Sequence, residues 1–186
     1  MVKIIKIQMS NIVIGDLEFE PFITFEEIQE KIRIIGKEIS IRYADKNPVF
    51  IGVLNGCFMF MSDLMKEIDI SCELSFVKLA SYHGTEQGQI SQLLGVGIDL
   101  TDRHVVIVED IVDTGNSLKY TLQALENINT ASIAVASLLI KPTCLQHTFD
   151  NIDYVGFEIA HEFVVGYGLD YGGKGRNLCH IYKVCS

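Results

Sequence analysis

One stretch of the chain concentrates the side chains that could do chemistry. Glu109-Asp110-Ile111-Val112-Asp113-Thr114-Gly115-Asn116-Ser117 follows the apolar, β-branched run Val105-Val106-Ile107-Val108. Its last five residues have the composition of a tight turn onto a helix N-terminus. Free backbone amides, the helix dipole and the Thr114 and Ser117 hydroxyls make a phosphate cradle there. The string holds neither G-x-x-x-x-G-K-[ST] nor G-x-G-x-x-G, and no lysine that could neutralise a triphosphate. Instead it carries three carboxylates, which would repel a bare anion. Glu109 and Asp110 therefore need another target. It is either a ribose diol, whose hydroxyls donate to carboxylates, or a hydrated Mg2+. The string reads as a site for a sugar joined to a phosphate. A solvated acidic loop with Asp113 as a helix cap explains any single acid, but not the whole string behind an apolar strand.

These residues need elements to hold them. Thr24-Phe25-Glu26-Glu27 is a capping box. Phe25, Ile28, Ile32, Ile35 and Ile39 follow at alternating spacings of three and four, which predicts a helix over about 24–43. Val49 to Leu54 is an apolar run after Asn47-Pro48 and predicts a buried strand. Gly56 then opens a second helix through Phe58, Phe60, Leu64 and Met65. Further strands are expected at 73–80, 105–108, 132–140, 154–159 and 163–167, with a helix over about 116–128. The polar, Gly-bearing stretch from Ser81 to Gly88 has the length and character of a lid. Strands alternating with helices predict an α/β fold with a central, mostly parallel sheet flanked by helices on both faces. Ligands in such sheets bind beyond the carboxyl ends of strands, where the 109–117 string lies.

Composition bounds the partners. A chain of 186 residues is expected to form a single domain over 1–186, because domains most often run roughly 100–150 residues. Apolar residues at 48% and only three prolines exclude a disordered chain. With 24 acidic against 15 basic residues, the formal charge is −9, which counts against a nucleic-acid binder. No apolar run reaches the ~18 residues of a membrane span. Met1 to Ile7 is mildly basic and apolar but lacks a small-residue cleavage site, so it fits a strand or a disordered start better than a signal peptide. Five cysteines with no C-x-x-C pair argue against zinc or disulfide frameworks and fit reduced thiols in a cytoplasm.

Val106 to Ser117 resembles the phosphoribosyl-pyrophosphate motif of type I phosphoribosyltransferases. Val53-Leu54-Asn55-Gly56 with Phe58-Met59-Phe60, Ser81-Tyr82 and Lys141-Pro142 look like the hypoxanthine(-guanine) branch of that family. So do Val155 to Ile159, Phe163 to Tyr171 and Arg176-Asn177-Leu178. The blocks occur in family order from about residue 20 onward. The resemblance implies transfer of a phosphoribosyl group from phosphoribosyl pyrophosphate to N9 of hypoxanthine, and also of guanine. The products are IMP or GMP and pyrophosphate. It also implies a small hood, a mobile lid, dependence on Mg2+, and a homodimer or homotetramer.

The same resemblance assigns roles residue by residue. Asp113 matches the acid beside purine N7 that accepts a proton as N9 becomes nucleophilic. Glu109 and Asp110 match the pair on the ribose hydroxyls, directly or through Mg2+. Asp113, Thr114, Gly115, Asn116 and Ser117 match the 5′-phosphate loop; some relatives have Lys where this chain has Asn116, so backbone amides are expected to carry that position. Lys141 matches the cation that donates to O6 of a 6-oxopurine, where the amino group of adenine would set donor against donor. Phe163 matches the aromatic that stacks on the base, and the Val164 main chain its edge contacts. Asp170 matches a Mg2+-linked acid, and Arg176 a pyrophosphate-binding arginine. Asn55 and Gly56 match the pyrophosphate loop, which implies a cis peptide at Leu54–Asn55. Ser81 and Tyr82 match the lid that excludes water from an oxocarbenium-like centre. A phosphoribosyltransferase-fold regulator that binds nucleic acid is opposed by the acidic charge and by Asp113, Lys141 and Arg176. A pyrimidine or adenine transferase is opposed by Lys141 and the 155–171 block.

Overall fold

The computed structural model describes residues 10–78 and 97–185. Its elements follow the apolar runs and amphipathic stretches. They are β1 (Ile12–Ile14), β2 (Leu17–Ile23), α1 (Phe25–Arg42), β3 (Val49–Leu54), α2 (Phe58–Glu67), β4 (Glu73–Lys78) and β5 (His104–Val112). Then come α3 (Asn116–Leu125), β6 (Ser132–Ile140), a 3-10 turn at Pro142–Cys144, β7 (Ile152–Glu158), β8 (Val164–Val165) and β9 (Ile181–Val184).

The central sheet is five-stranded, in the order β4-β3-β5-β6-β7, and every pairing is parallel. Such a sheet must be covered on both faces. On one face, Ile28, Ile32, Ile35 and Ile39 of α1 join Phe60 and Leu64 of α2 against Val106 and Val108. Each such side chain contributes about 1.5–3 kcal/mol by leaving water. On the other face, Leu118 and Leu125 of α3 pack with Val105, Ile107 and Val135. Thr24 caps α1 as foreseen: its hydroxyl accepts from the Glu27 amide at 3.2 Å, and the Glu27 carboxylate accepts from the Thr24 amide at 2.8 Å.

A second, antiparallel sheet in the order β1-β2-β9-β8 sits beside the first and forms the hood. Phe19, Val165 and Tyr182 are its buried centre. The resemblance implied a hood, but its strands at 12–14, 17–23 and 181–184 were not among the predicted elements. The strand expected over 163–167 is confined to Val164–Val165. Gly166, Tyr167 and Gly168 turn away with φ of 99°, 48° and 102°, left-handed values that no strand accommodates.

β5 also differs from expectation. It runs on to Val112, so Glu109 and Asp110 belong to the strand and not to the loop after it. Glu109 stays in register with Ser137, and Ile111 with Leu139. The apolar pattern stops at Val108, but backbone pairing with β6 does not depend on side-chain polarity. Among the described residues no helix is long and apolar enough to cross a membrane.

Candidate active site

Strand order reverses direction between β3 and β5, and the crevice at such a switch point is where open α/β sheets bind ligands. The carboxyl end of β3 supplies Leu54-Asn55-Gly56, with a cis peptide between Leu54 and Asn55. Gly56 lies flat against the Asp110 carboxylate: a Cβ there would overlap Asp110 Oδ2. The turn after β8 closes on the same point, since a Cβ at Gly168 would overlap the Gly56 carbonyl. Three segments far apart in sequence thus meet here, with the Gly56 and Gly168 backbones in direct contact and the Asp110 carboxylate in the space a Gly56 side chain would need.

Two carboxylates stand at the centre. Glu109 is only 4% exposed, and its Oε1 has no hydrogen-bond partner. Burial, and then the Asp110 charge, push its carboxyl well above the usual range. Asp110 is pushed up to about 6, chiefly by burial; backbone hydrogen bonds and Arg176 hold it down, and the Asp170 charge raises it. A buried, unpartnered carboxylate oxygen beside a second acid is an oxygen donor set suited to a hard cation or to hydroxyl donors. The residues therefore fit Mg2+, which characteristically takes one or two carboxylates and keeps several waters.

The turn from β5 to α3 lines a concavity of about 90 Å³ formed by residues 111–118. Gly115 is the N-cap with φ 83°, and no side chain caps the helix. The Lys119 amide bonds back to the Gly115 carbonyl at 2.9 Å, and the Asn116 amide reaches Thr114 Oγ1 at 3.4 Å. The concavity is lined by the first turn of α3, whose N-terminal amides have no intrahelical partners, as an anion site requires. The loop after Lys141 braces this turn. The Gln146 amide donates to the Thr114 carbonyl at 3.0 Å, and Phe149 packs where a Gly115 side chain would be. Asn116 is held by Gln146 at 3.3 Å and His147 at 2.8 Å, so its side chain is committed to that brace. Gln146, His147 and Phe149 escaped the sequence reading because they lie in an irregular loop with no motif of their own.

Lys141 directly follows β6 and is 5% exposed. Its Nζ donates to Asp113 Oδ2 at 2.7 Å. Asp113 itself is more open, with 43% of its side chain accessible. The Lys141 amide donates to the Val112 carbonyl at 3.0 Å, which locks the two strand ends together. The hood contributes Phe163, 43% exposed and set edge-on to Tyr171 at 5.7 Å between ring centroids. β8 is the edge of its sheet. The Phe163 carbonyl accepts from the Val184 amide at 2.9 Å, so strand alternation turns the Val164 amide and carbonyl to the open side.

Arg176 donates to the Gly168 carbonyl at 2.7 Å and pairs with Asp170 at 2.6 Å. Asp170 also accepts the Gly173 amide at 2.7 Å. Tyr167 anchors the turn from below, donating to Asp63 at 2.5 Å while Gln29 donates to the same carboxylate oxygen at 2.8 Å. Neither Asp63 nor Gln29 carries a sequence signal, because each sits on the polar side of an ordinary amphipathic helix. Ser81 and Tyr82, the expected lid, lie outside the described residues.

Residues 24–172 match the model of the phosphoribosyl transferase domain. The hypoxanthine-guanine phosphoribosyltransferase of Streptococcus pneumoniae is 40% identical over 161 residues, 86% of this chain and 89% of the relative. The bifunctional protein TilS/HprT of Listeria innocua is also 40% identical over 161 residues, and there the chain spans 25% of the relative's length. Among solved structures, a hypoxanthine phosphoribosyltransferase from Staphylococcus aureus superposes with a TM-score of 0.83 at 36% identity, covering 89% of this chain and 91% of that one. A Trypanosoma cruzi hypoxanthine phosphoribosyl transferase gives 0.83 at 33% identity, covering 94% and 95%. A match across the 24–172 span, on a parallel sheet whose switch point carries the acids and the β5–α3 turn, shows that the chain belongs to the phosphoribosyltransferase family.

Proposed function

We propose that this chain transfers the phosphoribosyl group of phosphoribosyl pyrophosphate to N9 of hypoxanthine, and also of guanine, releasing pyrophosphate in purine salvage. The observation that carries the reading is the Lys141–Asp113 pair, 2.7 Å apart beside the phosphate turn. A 6-oxopurine carries O6, an acceptor, next to N7, which bears a proton once N9 is nucleophilic. A lysine donor beside a carboxylate acceptor complements that edge. Adenine presents donor then acceptor there, opposing both groups.

The rest of the site supports the same reaction. The 113–117 amides hold the 5′-phosphate, and Glu109 and Asp110 orient the ribose hydroxyls. Phe163 stacks on the base, and the outward Val164 main chain reads its far edge. Arg176 and the Asn55-Gly56 backbone take the pyrophosphate. As the bond to pyrophosphate breaks, positive charge on the ribose is stabilised by the neighbouring acids. Asp113 takes the N7 proton, and the purine attacks through N9. Mg2+ would be held by Glu109 and Asp110, with Asp170 adding its charge, and would neutralise the leaving pyrophosphate. Whole-chain substrates and assembly, as a homodimer or homotetramer, belong to this proposal too.

The test is incubation with phosphoribosyl pyrophosphate, Mg2+ and hypoxanthine, guanine or adenine in turn, with nucleotide products separated by chromatography. IMP from hypoxanthine and no AMP from adenine is the expected result. Absence of IMP would overturn the reading.

A further inference from the structure

The turn after Lys141 and the segment leading to Phe163 are joined by one side-chain pair. Cys144 ends the 3-10 turn after Lys141, and its amide donates to the Lys141 carbonyl at 3.0 Å. His161 lies two residues before Phe163. Cys144 Sγ and His161 Nδ1 are 3.1 Å apart. In the tautomer protonated at Nε2, Nδ1 accepts the thiol proton. A thiol with a base at hydrogen-bond distance is an activated nucleophile, not a packed one. His161 is exposed and Cys144 partly so, which leaves the sulfur within reach of a small reagent.

The other four cysteines differ. Cys57 is buried, and burial with the Glu109 and Asp110 charges pushes its thiol up. Burial also raises Cys72, and Cys185 is raised by burial and by Glu18 and Glu20. Cys179 is exposed but, among the described residues, has no histidine nitrogen at its sulfur. Reactive cysteines combine access with a base at hydrogen-bond distance, and Cys144 has both.

We propose that Cys144, paired with His161 across the base pocket, is a modification site for small disulfides, and that the adduct parts the two walls and weakens base binding. The sulfur gives its proton to His161 and attacks one sulfur of the disulfide. The old S–S bond breaks, a new one forms to Cys144, and the departing thiolate takes up a proton. One mixed disulfide and one free thiol result, with no other oxidant needed. The bulky adduct removes the contact that ties the Lys141 turn to the segment leading to Phe163. The effect on base binding rests on the proposed purine site; the thiol chemistry does not.

The full chain is treated with glutathione disulfide, the modified cysteine is mapped by mass spectrometry, and both KM values are measured. Cys144 is expected to react about tenfold or more faster than Cys72, Cys179 or Cys185, and His161→Gln to slow it by a similar factor. The adduct should raise the KM for hypoxanthine by roughly fivefold or more, as for loss of about 1 kcal/mol, with little change for phosphoribosyl pyrophosphate. Reduction with dithiothreitol restores it. Cys144→Ser keeps a hydroxyl that can donate to His161 and should retain base affinity while resisting the reagent; Cys144→Ala should lose affinity as the adduct does. Faster reaction at another cysteine, or an unchanged rate in His161→Gln, overturns the site. A Cys144 adduct with unchanged KM for hypoxanthine overturns its link to the base. If the native chain makes no nucleotide, the proposed function fails, and the mapping alone still decides whether Cys144 is the reactive thiol.

Discussion

Asp113 and Lys141 satisfy one another in the ligand-free chain, so any base that engages both must replace a 2.7 Å ion pair with two contacts of its own. Asp113→Asn keeps the shape but cannot take a proton, and turnover should fall by about 10²-fold or more with substrate binding retained. Unchanged turnover in a steady-state assay would remove Asp113 from the chemistry. Lys141→Ala should raise the KM for a 6-oxopurine far more than that for phosphoribosyl pyrophosphate; equal losses would mark a purely structural lysine. These two residues were legible as types in the sequence, Asp113 from its motif and Lys141 from its place at a strand end. Their contact was not, because 28 residues separate them and only the register of β5 on β6 brings the strand ends together.

At the level of elements, the site depends on backbones that touch. Gly56→Ala would drive a methyl into Asp110, and Gly168→Ala a methyl into the Gly56 carbonyl while holding a φ that L-residues disfavour. Gly168→Ala should lower thermal stability by about 1–3 kcal/mol and reduce activity with it. A calorimetric scan matching the native chain would contradict the close approach. Tyr167→Phe deletes the hydroxyl that Asp63 accepts at 2.5 Å and Gln29 reaches at 3.2 Å, with an expected loss of about 1–3 kcal/mol measured by denaturant unfolding. How far elements could be foreseen follows their locality. α1 was readable from its capping box and isoleucine stripe, and β3 and β6 from their apolar runs. The hood was hidden because β2 pairs with β9, near the other end of the chain, and because Pro21 and a register shift interrupt its alternation. The end of β5 was hidden because Glu109 and Asp110 interrupt its apolar run before Ile111 and Val112 resume it.

For the molecule as a whole, the buried acids make stability depend on pH. Asp110 is raised to about 6 from 3.8. A raised carboxyl binds its proton more tightly folded than unfolded, so its contribution is most favourable below the unfolded value and is lost as pH rises through the folded one. Relative to Asp110→Asn, the ligand-free protein should therefore lose stability between about pH 4 and 7, by at most on the order of 3 kcal/mol because Asp110 keeps some solvent contact. Thermal scans of both proteins across that range measure the difference; a constant gap would refute the burial effect. Glu109→Gln should likewise raise the melting temperature of the ligand-free protein by a few degrees, about 2–4 °C, while reducing activity. A lower melting temperature would mean the charge is already compensated. Positions that weaken the empty protein and serve the loaded one are where activity and stability compete.

The free margin of β8 has a genetic consequence. Main-chain atoms present the same donor and acceptor whatever residue bears them, so a library of aliphatic replacements at Val164 should leave discrimination among bases almost silent. Variation that slides β9, whose Lys183 pairs in register with Val164, would instead shift the main chain to which the proposed function gives the base contacts. Selectivity could then be retuned by mutations that never touch the ligand.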